Sequence, residues 1–262
     1  MMKGKLLRIL RIVTLSVIVG LVGTLFSFLT LNKLQGGIPF SLYSNFNDYV
    51  APDYGAEQTK AIQRSRDSAV RIVSGAPTLW GGMAYSSGTY FRANSRHYII
   101  TVLHGLVGNC ETTYASYEEE FYPCIEMIIE DVDNDYAIWE VEPILSRTPI
   151  RIPQDLPTSP QWKNSYSLLK RLIYTGYPNT LGPLTLRGDV IGFSGTDYMY
   201  VFSYAWAGSS GSGVFDENGH YVGYIIAIDV GQTEFGVDVL ENVVLVVPSF
   251  NVNWSSILQE LP

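Results

Sequence analysis

The stretch IPQDLPTSP, residues 152–160, decides the fold, because it interrupts a chain that otherwise reads as strand after strand. Its three prolines have no N–H to give to a ladder, so no central strand runs through it. On either side, short runs rich in Val, Ile, Tyr and Thr alternate with Gly, Pro, Asn and Asp. Ahead of the seam lie Ala69–Val73, Tyr98–Val102, Ile125–Glu130 and Ala137–Val141. Behind it lie Leu172–Gly176, Leu184–Phe193, Tyr198–Ser203, Tyr221–Ile228 and Asn242–Val247. That spacing predicts an all-β sandwich or barrel architecture in two halves, about 66–152 and about 161–250. Asn218-Gly219 suits a tight hairpin turn needing positive φ. After Pro248-Ser249, Trp254, Ile257, Leu258 and Leu261 fall at helical spacing and predict a closing amphipathic helix over 251–261.

With 262 residues, 47% apolar and 16% charged, the chain has the makings of a sizeable core and is not a disordered sequence. Five of its 17 basic residues precede residue 35, leaving 12 basic against 25 acidic residues, a net of −13, for the remainder. So acidic a body does not suit nucleic acid, whose phosphates demand clustered Lys and Arg. Two cysteines are too few for a disulfide scaffold or a four-thiolate zinc site. Cys110 and Cys124 form either a disulfide closing about 15 residues or two free buried thiols.

Residues 12–31, IVTLSVIVGLVGTLFSFLTL, carry no charge. As a helix they span roughly 30 Å, the depth of a bilayer's hydrocarbon core. Lys3, Lys5, Arg8 and Arg11 precede them, which predicts a single-pass anchor with a cytoplasmic N-terminus and a periplasmic or extracellular body. A cleavable signal peptide competes, although its apolar region is usually shorter and ends at a small-x-small site. Residues 1–33 are thus stub and anchor. Residues 34–65 read as a stalk with a short helix near Gln58–Ser65, and the body follows from 66 to 262.

Only three histidines are present. His97 and His220 read as surface residues, whereas His104 follows the apolar strand Tyr98–Leu103 and stands at its edge. In AGSSGSGVF (207–215), small residues surround Ser210, the setting in which backbone N–H groups can turn inward as an oxyanion hole, or simply an ordinary Gly/Ser loop. Asp135 lies in an acidic turn where a carboxylate could orient an imidazole, with Asp131 and Asp133 as rivals.

The order His104, Asp135, Ser210 with TVLHGL (101–106), NDYAIWEV (134–141) and GSSGSGVF (208–215) resembles the trypsin-like serine proteases, specifically the HtrA/Deg branch. YTGYP (174–178), NGHYVGYIIA (218–227) and NVVLVVP (242–248) carry the resemblance over roughly residues 68–262. It implies two six-stranded antiparallel β-barrels with an active site between them and no metal or organic cofactor. Ser210 would be the nucleophile, His104 the base, Asp135 its orienting acid, and the N–H groups of Gly208 and Ser210 the oxyanion hole. Strand Ile226–Gly231, with Ala227 and Asp229, would line a protein or peptide substrate, and Tyr204 falls at the specificity pocket. Many relatives form homotrimers, which the resemblance leaves open here.

Several positions depart from the family pattern. Ser209 stands where pancreatic-type enzymes carry the Asp that pairs with a new N-terminus, so Arg71-Ile-Val-Ser-Gly75 reads as the first barrel strand and not as an activation site. Ser212-Gly213 replaces the usual Gly-Pro. Tyr204 is not acidic and gives no support to an Arg or Lys preference. The closing helix leaves no room for a PDZ module. An α/β-hydrolase esterase is excluded, because it needs Gly-x-Ser-x-Gly and an acid and histidine after the serine. A protease-like domain used only for binding is the remaining alternative.

Overall fold

The computed structural model describes residues 55–75, 82–152, 159–195, 197–233 and 236–258. The proposed anchor and the stalk up to residue 54 lie outside the described residues, as does the last part of the expected closing helix. Among the described residues, no helix is long and apolar enough to cross a membrane.

The first half closes into a six-stranded antiparallel barrel. Its strands are β1 (Ala69–Gly75), β2 (Met83–Ala93), β3 (Arg96–Val102), β4 (Thr113–Tyr117), β5 (Glu120–Asp131) and β6 (Tyr136–Val141). They run in the order β1-β4-β5-β6-β3-β2, and β2 pairs back onto β1. A two-residue strand β7 (Ile150–Arg151) adds in parallel to β2. The second half holds β8 (Arg171–Gly176), β9 (Leu184–Phe193), β10 (Met199–Phe202), β11 (Gly213–Asp216), β12 (Tyr221–Thr233) and β13 (Gly236–Pro248). These also close, in the order β10-β13-β12-β11-β8-β9. Residues 71–75 lie within β1, as the sequence reading required.

Inward-facing residues fill each barrel. Val70, Ile72, Ile99 and Trp139 pack inside the first, and Tyr174, Val190, Val214 and Val244 inside the second. A third cluster joins Phe91, Tyr98 and Ile138 to Phe215, Tyr224 and Trp254, so the barrels share a core where they meet. The proline seam follows β7, and its last residues, Ser159 and Pro160, open a short helix, α2 (Ser159–Ser165), that the sequence reading did not expect; the helix's Trp162 is fully buried against the second barrel.

Two helical expectations need correcting. The stalk's short helix is longer, α1 (Ala56–Ser68), and is docked on the body. Its buried residues Ala61, Ser65 and Ser68 form a small-residue stripe. Gln58 reaches Glu217, Arg64 donates to Gly219 O at 2.7 Å, and Ser65 donates to Thr175 Oγ1 at 2.9 Å. The closing helix starts later than expected: α3 begins at Ser255 and is described as far as Leu258, and residues 249–251 form a separate 3₁₀ turn. Val252 is buried and the Asn253 N–H is taken by Tyr136 OH at 2.9 Å, which holds the chain extended between them.

Main chain of one barrel meets main chain of the other at Gly211, whose φ is +87°. A Cβ there would lie 2.0 Å from the Ser87 carbonyl oxygen. Gly211→Ala therefore combines a left-handed backbone cost of about 1–3 kcal/mol with a clash against main chain. We expect a clear drop in melting temperature, and a melt within a degree of wild type would refute this account of the seam. Cys110 and Cys124 are joined by a disulfide that ties the turn after His104 to β5. Replacing both with Ala should cost about 3 kcal/mol in a denaturant titration, the chain-entropy value for a loop of this length.

Candidate active site

The ladder between β3 and β6 brings the histidine and the acid together. Val102 pairs with Tyr136, so the residues just beyond each, Leu103 and Asp135, face one another, and the Leu103 N–H donates to Asp135 O at 3.2 Å. His104 sits on the 3₁₀ turn Leu103–Gly105 at the end of β3. Asp135 holds a left-handed backbone, φ +53°, which a short polar side chain tolerates. That geometry lets one carboxylate grip His104 twice. Oδ1 accepts the His104 backbone N–H at 2.9 Å, and Oδ2 lies 2.5 Å from Nδ1. Nε2 is thereby left as the ring nitrogen able to accept a proton, a tautomer inferred from these bonds. The rival Asp131 instead accepts from Asn134, through its backbone N–H at 2.9 Å and its side-chain amide at 3.2 Å.

Ser210 comes from the other barrel, on the loop between β10 and β11. Its carbonyl accepts the Ser87 N–H at 2.8 Å. His104, Asp135 and Ser210 line one cleft of about 340 Å³, together with Ala205, Trp206 and Ile226. The Ser210 hydroxyl donates to Ile226 O at 3.2 Å, and among the described residues no hydrogen bond joins it to the imidazole. Ile226 sits at a bulge where the β12–β13 register shifts between Ile225 and Ala227. Bulges of this kind re-aim backbone groups beside functional sites. The N–H groups of Gly208 and Ser210 have no acceptor among the described residues.

Not every residue singled out from sequence reaches the cleft. Tyr204 is 54% exposed and stacks on Trp206 with ring centroids 6.1 Å apart, so Ala205 and Trp206 form the wall expected of it. The backbones of Ala227 and Asp229 pair with Leu245 and Leu240, while their side chains lie outside what the structure describes. Among the described residues, no group of three or more His, Cys, Asp and Glu could hold a metal ion. Sequence reasoning missed Ser87 and Trp206, and it named Ile226 only as the start of a substrate-lining strand, with no signal that its carbonyl would hold the Ser210 hydroxyl.

The other histidines serve the fold. His220 pairs with Asp216 at 3.1 Å, and Asp216 also accepts the N–H groups of Asn218 and His220 to close the hairpin. His97 lies 2.5 Å from Tyr90 OH, which in turn accepts the Ile144 N–H at 3.1 Å. The sequence reading placed His97 at the surface; it is only partly exposed, and burial, aided by the Arg92 charge, lowers its pKa.

No protein-family model and no curated protein matches the sequence. Solved structures do match it, and with the two closed barrels they show the trypsin-like fold. A serine endoprotease from Yersinia pestis aligns at TM-score 0.59 and 14% identity, covering 79% of this chain and 69% of that one. A Mycobacterium tuberculosis protease in its active form aligns at TM-score 0.56 and 16% identity, covering 79% and 88% respectively.

The lowered pKa of His97 sets a sign for pH. The folded state binds the proton more weakly than the unfolded chain, so this contribution is intact above the ordinary histidine pKa of 6.5 and is lost as pH falls below it. Wild type should therefore lose more melting temperature than His97→Gln between about pH 7.5 and 5.5. Parallel losses in the two proteins would remove His97 from the acid response.

Proposed function

We propose that the chain is a serine endopeptidase, anchored to a membrane through residues 12–31 and acting on peptide bonds outside the cytoplasm. Ser210 is the nucleophile, His104 the general base and acid, and Asp135 the group that orients and stabilises the imidazolium. The reading rests above all on one arrangement: an imidazole doubly held by Asp135 opens into the same cleft as Ser210, with the unengaged N–H groups of Gly208 and Ser210 beside them.

A substrate laid along β12 would add a strand to it, placing the scissile carbonyl above Ser210. The Ser210 hydroxyl then leaves Ile226 O and turns to the imidazole, a rotation about one side-chain bond. Nε2 takes the proton as the oxygen attacks. The developing oxyanion is met by the Gly208 and Ser210 N–H groups, and the proton passes on to the leaving amine. The tetrahedral adduct collapses to an acyl-enzyme, which water hydrolyses by the same route. A protonated imidazole cannot serve as the base, so the rate falls on acidification.

A fluorophosphonate probe applied to the full chain in detergent tests this directly. Labelling should occur in wild type and vanish in Ser210→Ala. Asp135→Asn should keep the fold and lower kcat by about 10⁴-fold, the cost of the wrong tautomer. A folded sample that takes no label favours the binding-module reading instead. If residues 12–31 span the bilayer, the chain stays with membranes through an alkaline carbonate wash, and its release would remove the anchor.

A further inference from the structure

The nucleophile loop is held from behind by an unusual run of carbonyl contacts. Ala207 O accepts the Asn179 N–H at 2.7 Å. Gly208 O accepts the Ser87 hydroxyl at 2.7 Å. Ser209 O accepts both the Ser212 hydroxyl, at 2.6 Å, and the Ser212 N–H, at 3.1 Å. In a planar trans peptide the N–H points opposite to the C=O. Fixing Ser209 O therefore fixes the direction of the Ser210 N–H, and fixing Ala207 O fixes that of Gly208.

Both side chains are fully buried. Ser87 also accepts the Tyr177 N–H at 2.9 Å, so its one proton is committed to Gly208 O. The space they occupy is made by Gly176. A Cβ there would lie 2.1 Å from Ser212 Oγ and 3.0 Å from Ser87 Oγ. Resting on the serine-endopeptidase reading, we propose that Ser212 is a positioning residue: its hydroxyl locks the peptide whose N–H receives the oxyanion. It touches no substrate and acts through the Ser209–Ser210 peptide. Alanine at 212 keeps the backbone bond and removes the hydroxyl, freeing the peptide to rock.

The test uses the full chain, with labelled casein as substrate and a fluorophosphonate as probe, at a temperature where each variant is folded by circular dichroism. Ser212→Ala should lower kcat and the phosphonylation rate together by roughly tenfold, less than the hundredfold or more lost when a donor is removed outright. KM should stay at the wild-type value, because ground-state contacts are untouched. If that variant does not fold, Ser212→Cys, nearly the same size with a far weaker donor, carries the same readout. A folded variant with wild-type kcat and labelling rate, even if it melts earlier, overturns the positioning role while the protease reading stands. A wild-type chain that neither cleaves casein nor takes the label removes the protease reading, and this role with it.

Discussion

Everything in the cleft depends on how tightly the two barrels approach at Ser87 and Gly211. His104 and Asp135 belong to the first barrel and Ser210 to the second, so no local feature of either half can bring them together. The approach is set by main chain meeting main chain. Ser87 donates its N–H to Ser210 O, and Gly211 leaves room for Ser87 O because it has no Cβ. Thr101 adds a further bond to that same oxygen at 2.7 Å. Backbone contacts of this kind position an atom better than side-chain packing does, since no rotamer intervenes. Ser210 therefore inherits the rigidity of β2.

The same economy governs the acid. Asp135 is placed by the β3–β6 ladder and by its own left-handed turn, and a single carboxylate then fixes both the backbone and the ring of His104. The His220–Asp216 pair makes a useful contrast. It has a similar contact on an exposed hairpin, with its carboxylate occupied in closing a turn. A histidine beside an aspartate is common chemistry; what distinguishes the cleft is the serine that shares it.

Much of this was legible in the sequence. Strands dense in Val, Ile and Tyr declare themselves, and so did the proline seam. β2 did not, because Ser86-Ser87-Gly88 breaks its apolar pattern where it meets its neighbours. Gly88 fits there for want of space, a Cβ lying 2.8 Å from Ile72 and 2.9 Å from Ile99. β4 was hidden for the related reason that Thr113–Tyr117 is short and built around Ala and Ser. His104 could be picked out because only three histidines are present, and Asp135 and Ser210 because their motifs stand in the order the resemblance requires. Their supports could not. Ser212 read only as a departure from the usual Gly-Pro, since nothing in a string of letters tells which carbonyl a hydroxyl will reach. The closing helix was expected to start too early because the Trp254, Ile257, Leu258 spacing is helical, while Asn253 is claimed by Tyr136 from across the molecule.

One consequence follows from α1. Its last turn bonds to both halves: Arg147 donates to Arg66 O and the Thr148 N–H to Asp67 O, while Arg66 reaches Pro183 O and Thr185. Farther up, Arg64 and Gln58 hold the hairpin that leads from β11 to β12. Mechanical load arriving along the chain from its amino-terminal side would thus be felt first at a brace spanning both barrels, before it reached any strand. A soluble fragment trimmed at residue 66 would discard most of that brace, and one beginning at residue 55 would retain it.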